Sequence, residues 1–152
     1  MAQSADASVN CVFCGILAGD VPASFVYDDE LTSAFLDIRP VARGHVLVVP
    51  RRHRLRLEDL DEREGVAMWN AARRIAKAAQ GRLHASGANL LLADGRSAGQ
   101  EVDHLHLHVI PRYRLDDLVF DARAWDLPAP ERDELMDTAS ALTAALAEEG
   151  DR

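Results

Sequence analysis

His104, His106 and His108 alternate with Leu105, Leu107 and Val109. In an extended chain successive side chains point to opposite faces, so all three imidazoles share one face and the aliphatic residues take the other. Imidazole titrates near neutrality, attacks electrophiles when unprotonated and ligates transition metals. The pattern therefore points to proton transfer, phosphoryl chemistry or metal binding on that face. Half of the chain's six histidines fall within these five positions, and histidine is too uncommon for a plain polar strand face to explain that.

Same-face residues on a straight strand are about 6.6 Å apart, which puts His104 and His108 about 13 Å apart and argues against one metal held by all three. A division of labour fits better, in which the middle ring attacks phosphorus while its neighbours fix its tautomer or bind phosphate oxygens. The attacking nitrogen must be unprotonated, and the other must donate its proton to a fixed acceptor such as a backbone carbonyl. The loop from Gly95 to Glu101 offers backbone N–H groups, with glycines that allow a phosphate to approach closely. Protonation of the leaving group falls to a flanking imidazole or to a loop residue. Cys11-x-x-Cys14 is a second reactive pair, open to reading as a redox motif, half a zinc site or a chance pairing. A redox motif should open a long helix after a buried strand, and here a polar leader precedes it.

The elements that position these residues follow from periodicity. Residues 11–18 read as a short helix ended by Gly19, Asp20 and Pro22. Residues 25–27 and 31–37 read as a hairpin, with Ala34 and Leu36 on the face opposite Phe35 and Asp37. The β-branched run 45–49 is a strand stopped by Pro50. From 57 to 80 the period turns helical, with Asp59 or Asp61 as cap, Val66, Trp69, Ala72, Ile75, Ala76 and Ala79 as the apolar stripe, and Gly81 as the end. Trp69 on that stripe reads as core or subunit interface. Residues 89–93 and 102–110 form an antiparallel pair across a polar loop, the second strand ended by Pro111. A last helix spans about 131–149, with Glu131, Asp133 and Glu134 at its start and a stripe of Leu135, Ala139, Leu142 and Leu146 that packs on its own body or on a second subunit. The fold class is α+β, with a mainly antiparallel sheet of about five strands and a long helix.

Length and charge narrow the function. The chain has 152 residues, enough for one domain with a real core. No run of about 18 apolar residues occurs, and residues 1–10 are small and polar with neither a basic start nor an apolar stretch, so a soluble, cytoplasmic protein with a disordered leader is expected. Two cysteines exclude a disulfide framework. The net charge of −8 resides in the tail, where Asp116 to Arg152 carry eleven acidic and three basic residues. Such a chain has no basic surface for polymeric nucleic acid. A small phosphorylated ligand stays open, because backbone N–H groups and imidazoles hold phosphate without net positive charge.

His104-Leu-His106-Leu-His108-Val-Ile110 resembles the histidine triad (HIT) signature, His-φ-His-φ-His-φ-φ with φ hydrophobic. Ala98-Gly99-Gln100 and Pro111-Arg112 are similar to its flanks in bacterial members. Cys11-Val-Phe-Cys14-x-Ile16, Ala34-Phe35-Leu36-Asp37-Ile38 and Gly44-His45-Val-Leu-Val-Val-Pro50-Arg-Arg-His53 stand in the family's order, so the resemblance covers about residues 11–113. It makes 11–113 a HIT domain and 114–152 an acidic extension ending in a helix. It implies a homodimer that hydrolyses or transfers a nucleotidyl group at the α-phosphate of purine nucleotide conjugates, namely phosphoramidates, acyl nucleotidylates or dinucleoside polyphosphates, through a covalent nucleotidyl-histidine. His106 is then the nucleophile, His104 and His108 flank the phosphate, and His45 supports the imidazoles from the adjacent strand. Asp37 accepts ribose hydroxyls, Val12, Phe13, Ile16, Phe35 and Ile38 match the base pocket, and Gly99, Gln100 and Glu101 stand near the phosphate.

Zinc-carrying bacterial members add the implication of one structural zinc per chain on Cys11, Cys14, His53 and His104, with no cofactor needed for the chemistry. The chain departs from the family at Glu101, where many members have Ser or Thr, and at Ala93, where some have Asn. A carboxylate at the first position repels a phosphate unless it is protonated or turned away. Two rival classes are a non-catalytic nucleotide-binding or regulatory protein and a metal-binding structural module.

Overall fold

The computed structural model describes residues 10–116 and 127–150. The leader up to residue 9 and Trp125 lie outside the described residues. Five strands form one sheet in the order β1-β2-β3-β5-β4, with β1 (Phe25–Asp28), β2 (Thr32–Leu36), β3 (Val46–Pro50), β4 (Gly87–Leu92) and β5 (Leu107–Arg112). Every pairing is antiparallel. The turn between β1 and β2 is fixed by Asp29, whose carboxylate accepts the N–H groups of Leu31 and Thr32 at 2.8 Å.

Alternation along the strands sorts side chains onto two covered faces. Val46, Val48, Leu107 and Val109 pack with α2 (Glu62–Arg82) and α3 (Arg132–Gly150), whose Ala72, Ile75, Ala79 and Leu142 complete the main core. Leu47, Val49 and Phe35 turn the other way and meet Phe13 and Ile16 of α1 (Val12–Ala18). Cys11 caps α1, and Gly19 ends it at φ 84°, a conformation that glycine adopts without a Cβ penalty. The C-terminal stripe thus packs on its own body, with Ala139, Leu142 and Leu146 buried against α2 and the sheet.

Several boundaries differ from the sequence expectation for physical reasons. The helical stripe is offset: Met68, Ala71, Ala72, Ile75, Ala78 and Ala79 are buried, whereas Val66 and Trp69 are 55% and 59% exposed. The small side chains of Ala71 and Ala78 let α3 and the sheet approach closely, so that face wins over the bulkier one. Gly81 does not end α2, which runs on to Arg82 because Leu83 must dive into the core. Pro111 sits inside β5 opposite Ala88 and does not stop that strand, which runs on to Arg112, whereas β3 does end at Pro50. Asp61, rather than Asp59, caps α2, in a reciprocal box with Glu64. Glu64 is almost wholly buried and also receives a bidentate Arg54, with contacts of 3.0 to 3.3 Å. The carbonyl of Arg54 in turn accepts the N–H of Leu105 at 2.6 Å, which ties the start of α2 to the histidine segment.

Candidate active site

The histidine segment is not one straight strand. β5 begins at Leu107, and His104 and His106 precede it in irregular backbone. The three rings are 0 to 9% exposed, because Phe13 of α1 lies edge-on to both His104 and His106. The imidazole face is therefore covered rather than solvated.

Hydrogen-bond partners assign each proton. Nδ1 of His106 lies 2.8 Å from the carbonyl oxygen of His104, which only accepts, so Nδ1 carries the proton and Nε2 the lone pair. Nδ1 of His45 accepts the N–H of Val41 at 3.2 Å, so His45 keeps its proton on Nε2 and gives it to Nδ1 of His108 at 2.9 Å. His108 is thereby protonated on Nε2, the nitrogen turned away from His45. One ring of the adjoining pair carries a lone pair on Nε2 and the other carries a proton there, with centroids 4.9 Å apart. Burial holds all of them neutral: it lowers His106, takes His108 to about 4, and takes His45 to about 3 with help from the neighbouring imidazoles. The Asp37 carboxylate, mostly buried, lies 3.9 Å from Nε2 of His45 and accepts the N–H of Arg39. Desolvation raises its pKa, against the opposing pull of Arg39.

A second cluster gathers Cys11, Cys14, His53 and His104, whose ligand atoms all lie within 4.8 Å of one another. Sγ of Cys14 is 3.3 Å from Nδ1 of His53 and 3.6 Å from Nδ1 of His104, and Sγ of Cys11 is 3.5 Å from the same His104 nitrogen. Tetrahedral zinc with ordinary bond lengths sets thiolate and imidazole donors about 3.6 Å apart, so the set fits that ion. Nε2 of His104 donates to the Pro50 carbonyl at 2.9 Å, leaving the Nδ1 lone pair facing the sulfurs, the outer-shell arrangement that a ligating imidazole needs. Without a cation, burial and then the hydrogen bond and charge of Cys11 push the Cys14 thiol up to about 11. Asp37, His45 and His108 also have ligand spacing. There the Val41 N–H leaves His45 no lone pair on Nε2, so that trio serves as a hydrogen-bond relay instead.

A family model described as the HIT domain matches residues 18–115. The chain belongs to the HIT family. It is 42% identical over 104 residues to Protein hit of Bacillus subtilis, covering 68% of this chain and 72% of that one. It is 35% identical over 104 residues to adenosine 5'-monophosphoramidase hnt1 of Schizosaccharomyces pombe, covering 68% and 75%. Among solved structures, a Zn-bound histidine triad family protein from Mycobacterium smegmatis superposes with a TM-score of 0.83 at 41% identity, covering 95% of this chain and 98% of that one.

In this HIT protein the expected site residues fall into three groups. His45, His106, His108 and Asp37 converge, and so do the two cysteines with His53 and His104. His104 does not flank a phosphate with its ring, since both nitrogens are engaged elsewhere, and its contribution to His106 is the backbone carbonyl. Phe13, Ile16 and Phe35 share one apolar cluster, whereas Val12 and Ile38 are exposed beyond it. Gln100 is buried with its amide spent on Gly95, Leu55 and Val102, and the N–H groups of Ala98, Gly99 and Gln100 close local turns rather than open toward a ligand. Glu101 is exposed and paired with Arg39 at 3.6 Å. Sequence reasoning missed Val41, Pro50 and Arg39, the first two because backbone groups carry no side-chain signature.

Depressed histidine pKa values make stability pH-dependent with a definite sign. An unfolded histidine binds its proton near 6.5, and the folded His45 and His108 refuse it until about 3 and 4. Stability from these two rings is complete above pH 6.5 and falls as pH drops toward 4, with a combined slope of up to about 2.7 kcal/mol per pH unit. Denaturant midpoints measured from pH 7 to about 4.5 check this. His108→Gln should reduce the slope by about 1.4 kcal/mol per pH unit, and an unchanged slope would contradict the assignment.

Proposed function

We propose that the protein hydrolyses or transfers a nucleotidyl group from a purine nucleotide conjugate through a covalent bond between phosphorus and His106 Nε2. The conjugates in view are phosphoramidates, acyl nucleotidylates and dinucleoside polyphosphates. The observation that carries the reading is the fixed tautomer of His106, with its Nδ1–H on the His104 carbonyl at 2.8 Å. Burial keeps the ring neutral, so the lone pair is present at neutral pH. Support also comes from the relative named as an adenosine 5'-monophosphoramidase.

The lone pair of Nε2 attacks the α-phosphorus while the bond to the leaving group breaks, and water then cleaves the N–P bond and returns the electron pair to Nε2. The Nε2–H of His108, locked by His45 and Val41, donates to a phosphate oxygen as charge builds on it. The Asp37 carboxylate accepts ribose hydroxyls, and Phe13, Ile16 and Phe35 wall the base. Cys11, Cys14, His53 and His104 would hold one zinc, which supplies no bond-making chemistry and fastens the start of α1 to the histidine segment. The test is incubation with an adenosine phosphoramidate, quenching in alkaline denaturant, and intact-mass analysis. An added adenylyl group on His106 with release of adenosine monophosphate is expected. Nucleotide binding with neither adduct nor product would refute the catalytic reading and leave a nucleotide-binding module.

The working unit is a homodimer built on α2 and β4. β4 is an edge strand of the described sheet, and beside it Val66 and Trp69 of α2 and Leu91 are exposed. A second copy covers this surface isologously, supplying a strand to the open edge and a helix to the apolar face. Sedimentation should show a dimer at micromolar concentration and a monomer for Trp69→Glu. A wild-type chain that stays monomeric sinks this assembly.

A further inference from the structure

Two charged side chains, one from the loop that follows Asp37 and one from the segment that leads into the histidines, form an ion pair. Arg39 follows β2, and its guanidinium lies 3.6 Å from the carboxylate of Glu101, in the loop ahead of the histidines. Both are open to solvent, at 60% and 81% of their side-chain surface. Neither is a loose loop residue by backbone. The Arg39 N–H is held by the Asp37 carboxylate at 2.9 Å, and Asp37 is itself pinned by its N–H to the His45 carbonyl at 3.0 Å. Glu101 follows Gln100, which is buried and fastened by three hydrogen bonds to Gly95, Leu55 and Val102. The neighbouring Gln100 anchors the chain beside Glu101, and the Glu101 charge acts on both His106 and Asp37.

We propose that Arg39 and Glu101 tune with opposite sign the charge of the leaving group this site accepts: the Glu101 carboxylate favours neutral or cationic amines, the Arg39 guanidinium favours polyphosphates, and the Asp37 carboxylate tips the sum toward amines. The inference rests on the nucleotidyl-transfer reading above and refines it. With the imidazoles neutral, the formal charges around the reacting phosphorus are the carboxylates of Asp37 and Glu101 and the guanidinium of Arg39, a balance of one negative charge. When His106 Nε2 bonds to phosphorus, the electron pair of the broken bond leaves on the departing group. An amine takes a proton from solvent water as it departs, and the hydroxide left behind is neutralised by the proton released when a second water cleaves the N–P bond, whereas a polyphosphate departs as its anion and needs none. A polyphosphate departs with several negative charges and is repelled, whereas an amine departs neutral or, once protonated, cationic. At a separation of several ångströms in a wet site, each unit of charge difference is worth on the order of a five- to tenfold change in rate.

Arg39 and Glu101 act with opposite sign, and that makes the test sharp. kcat/KM is measured in the full-length chain for two substrates that share an adenylyl group: an adenosine phosphoramidate of a diamine, and diadenosine triphosphate. Glu101→Gln should lower the ratio of amine to polyphosphate substrate by roughly fivefold or more, and Arg39→Gln should raise it by a similar factor. Both shifts should shrink in about 0.5 M salt, because exposed charges are screened. Both side chains face solvent, so the melting temperatures of the variants should match the wild type. Wild-type turnover of both substrates with a ratio that neither variant moves, or that both move in the same direction, overturns the leaving-group proposal alone. A wild type that turns over neither substrate overturns the nucleotidyl-transfer reading and this refinement with it.

Discussion

His106→Ala will lose nucleotidyl transfer by roughly four orders of magnitude in kcat/KM while still binding adenosine monophosphate. Removing the attacking atom leaves only the direct reaction with water, assisted by the remaining donors, so a residual rate persists but no adduct forms. His108→Asn should cost less, on the order of a hundred- to a thousandfold, because it removes one hydrogen-bond donor to the developing charge. Rapid-quench kinetics with a phosphoramidate substrate, together with calorimetric titration of the product nucleotide, separate these effects. The ordering follows from the geometry: His106 Nε2 has the lone pair, whereas His108 Nε2 has the proton. If His106→Ala retains turnover within about tenfold of wild type, the attacking group lies elsewhere.

Much of this site can be read from the sequence because it rests on side-chain identity. The alternation of imidazole and aliphatic residues places His106 and His108 on the face opposite Leu107 and Val109, and the structure buries the two aliphatic residues against α2 as the period of two requires. The same reasoning fails at His104, since a two-residue period assumes that the ladder continues. It does not continue, because the Leu105 N–H is taken by the Arg54 carbonyl and the His104 ring by the Pro50 carbonyl. Those partners are about fifty residues away and are backbone atoms, so no local pattern announces them. A similar limit explains α2: Val66, Trp69 and Ala76 lie at proper helical spacing beside the stripe that is buried, and only the approach of α3 and the sheet decides which stripe turns inward. The loop of residues 95–101 shows the reverse case. Its glycines suit a phosphate cradle by type, yet local turns and the Gln100 amide consume its polar groups.

Cys14→Ser will lower the zinc content well below one per chain, reduce thermal stability, and reduce kcat more than it raises KM. The four donors come from three separated places, the start of α1, the loop after β3 and the segment before β5, so one ion would close two long loops at once. Structural zinc sites in small peptides are worth about 10–16 kcal/mol at neutral pH. This chain has a large core of its own, so only part of that shows in its unfolding. Losing the ion loosens α1, which carries Phe13 and Ile16, as well as His104, and the larger catalytic consequence runs through His104. Its ring is held between the sulfurs and Pro50, and its carbonyl holds the Nδ1–H of His106. When the ring is released the carbonyl loses its fixed position, and His106 spends part of its time in the tautomer that has no lone pair on Nε2. In the proposed mechanism Asp37 and Phe35, which lie outside the zinc cluster, still hold the nucleotide, so the larger part of the loss is expected on kcat. Elemental analysis and calorimetry of protein purified without chelator measure the first two effects. Substoichiometric zinc in the wild type, with both thiols freely reactive, would refute the metal site and with it this route to His106.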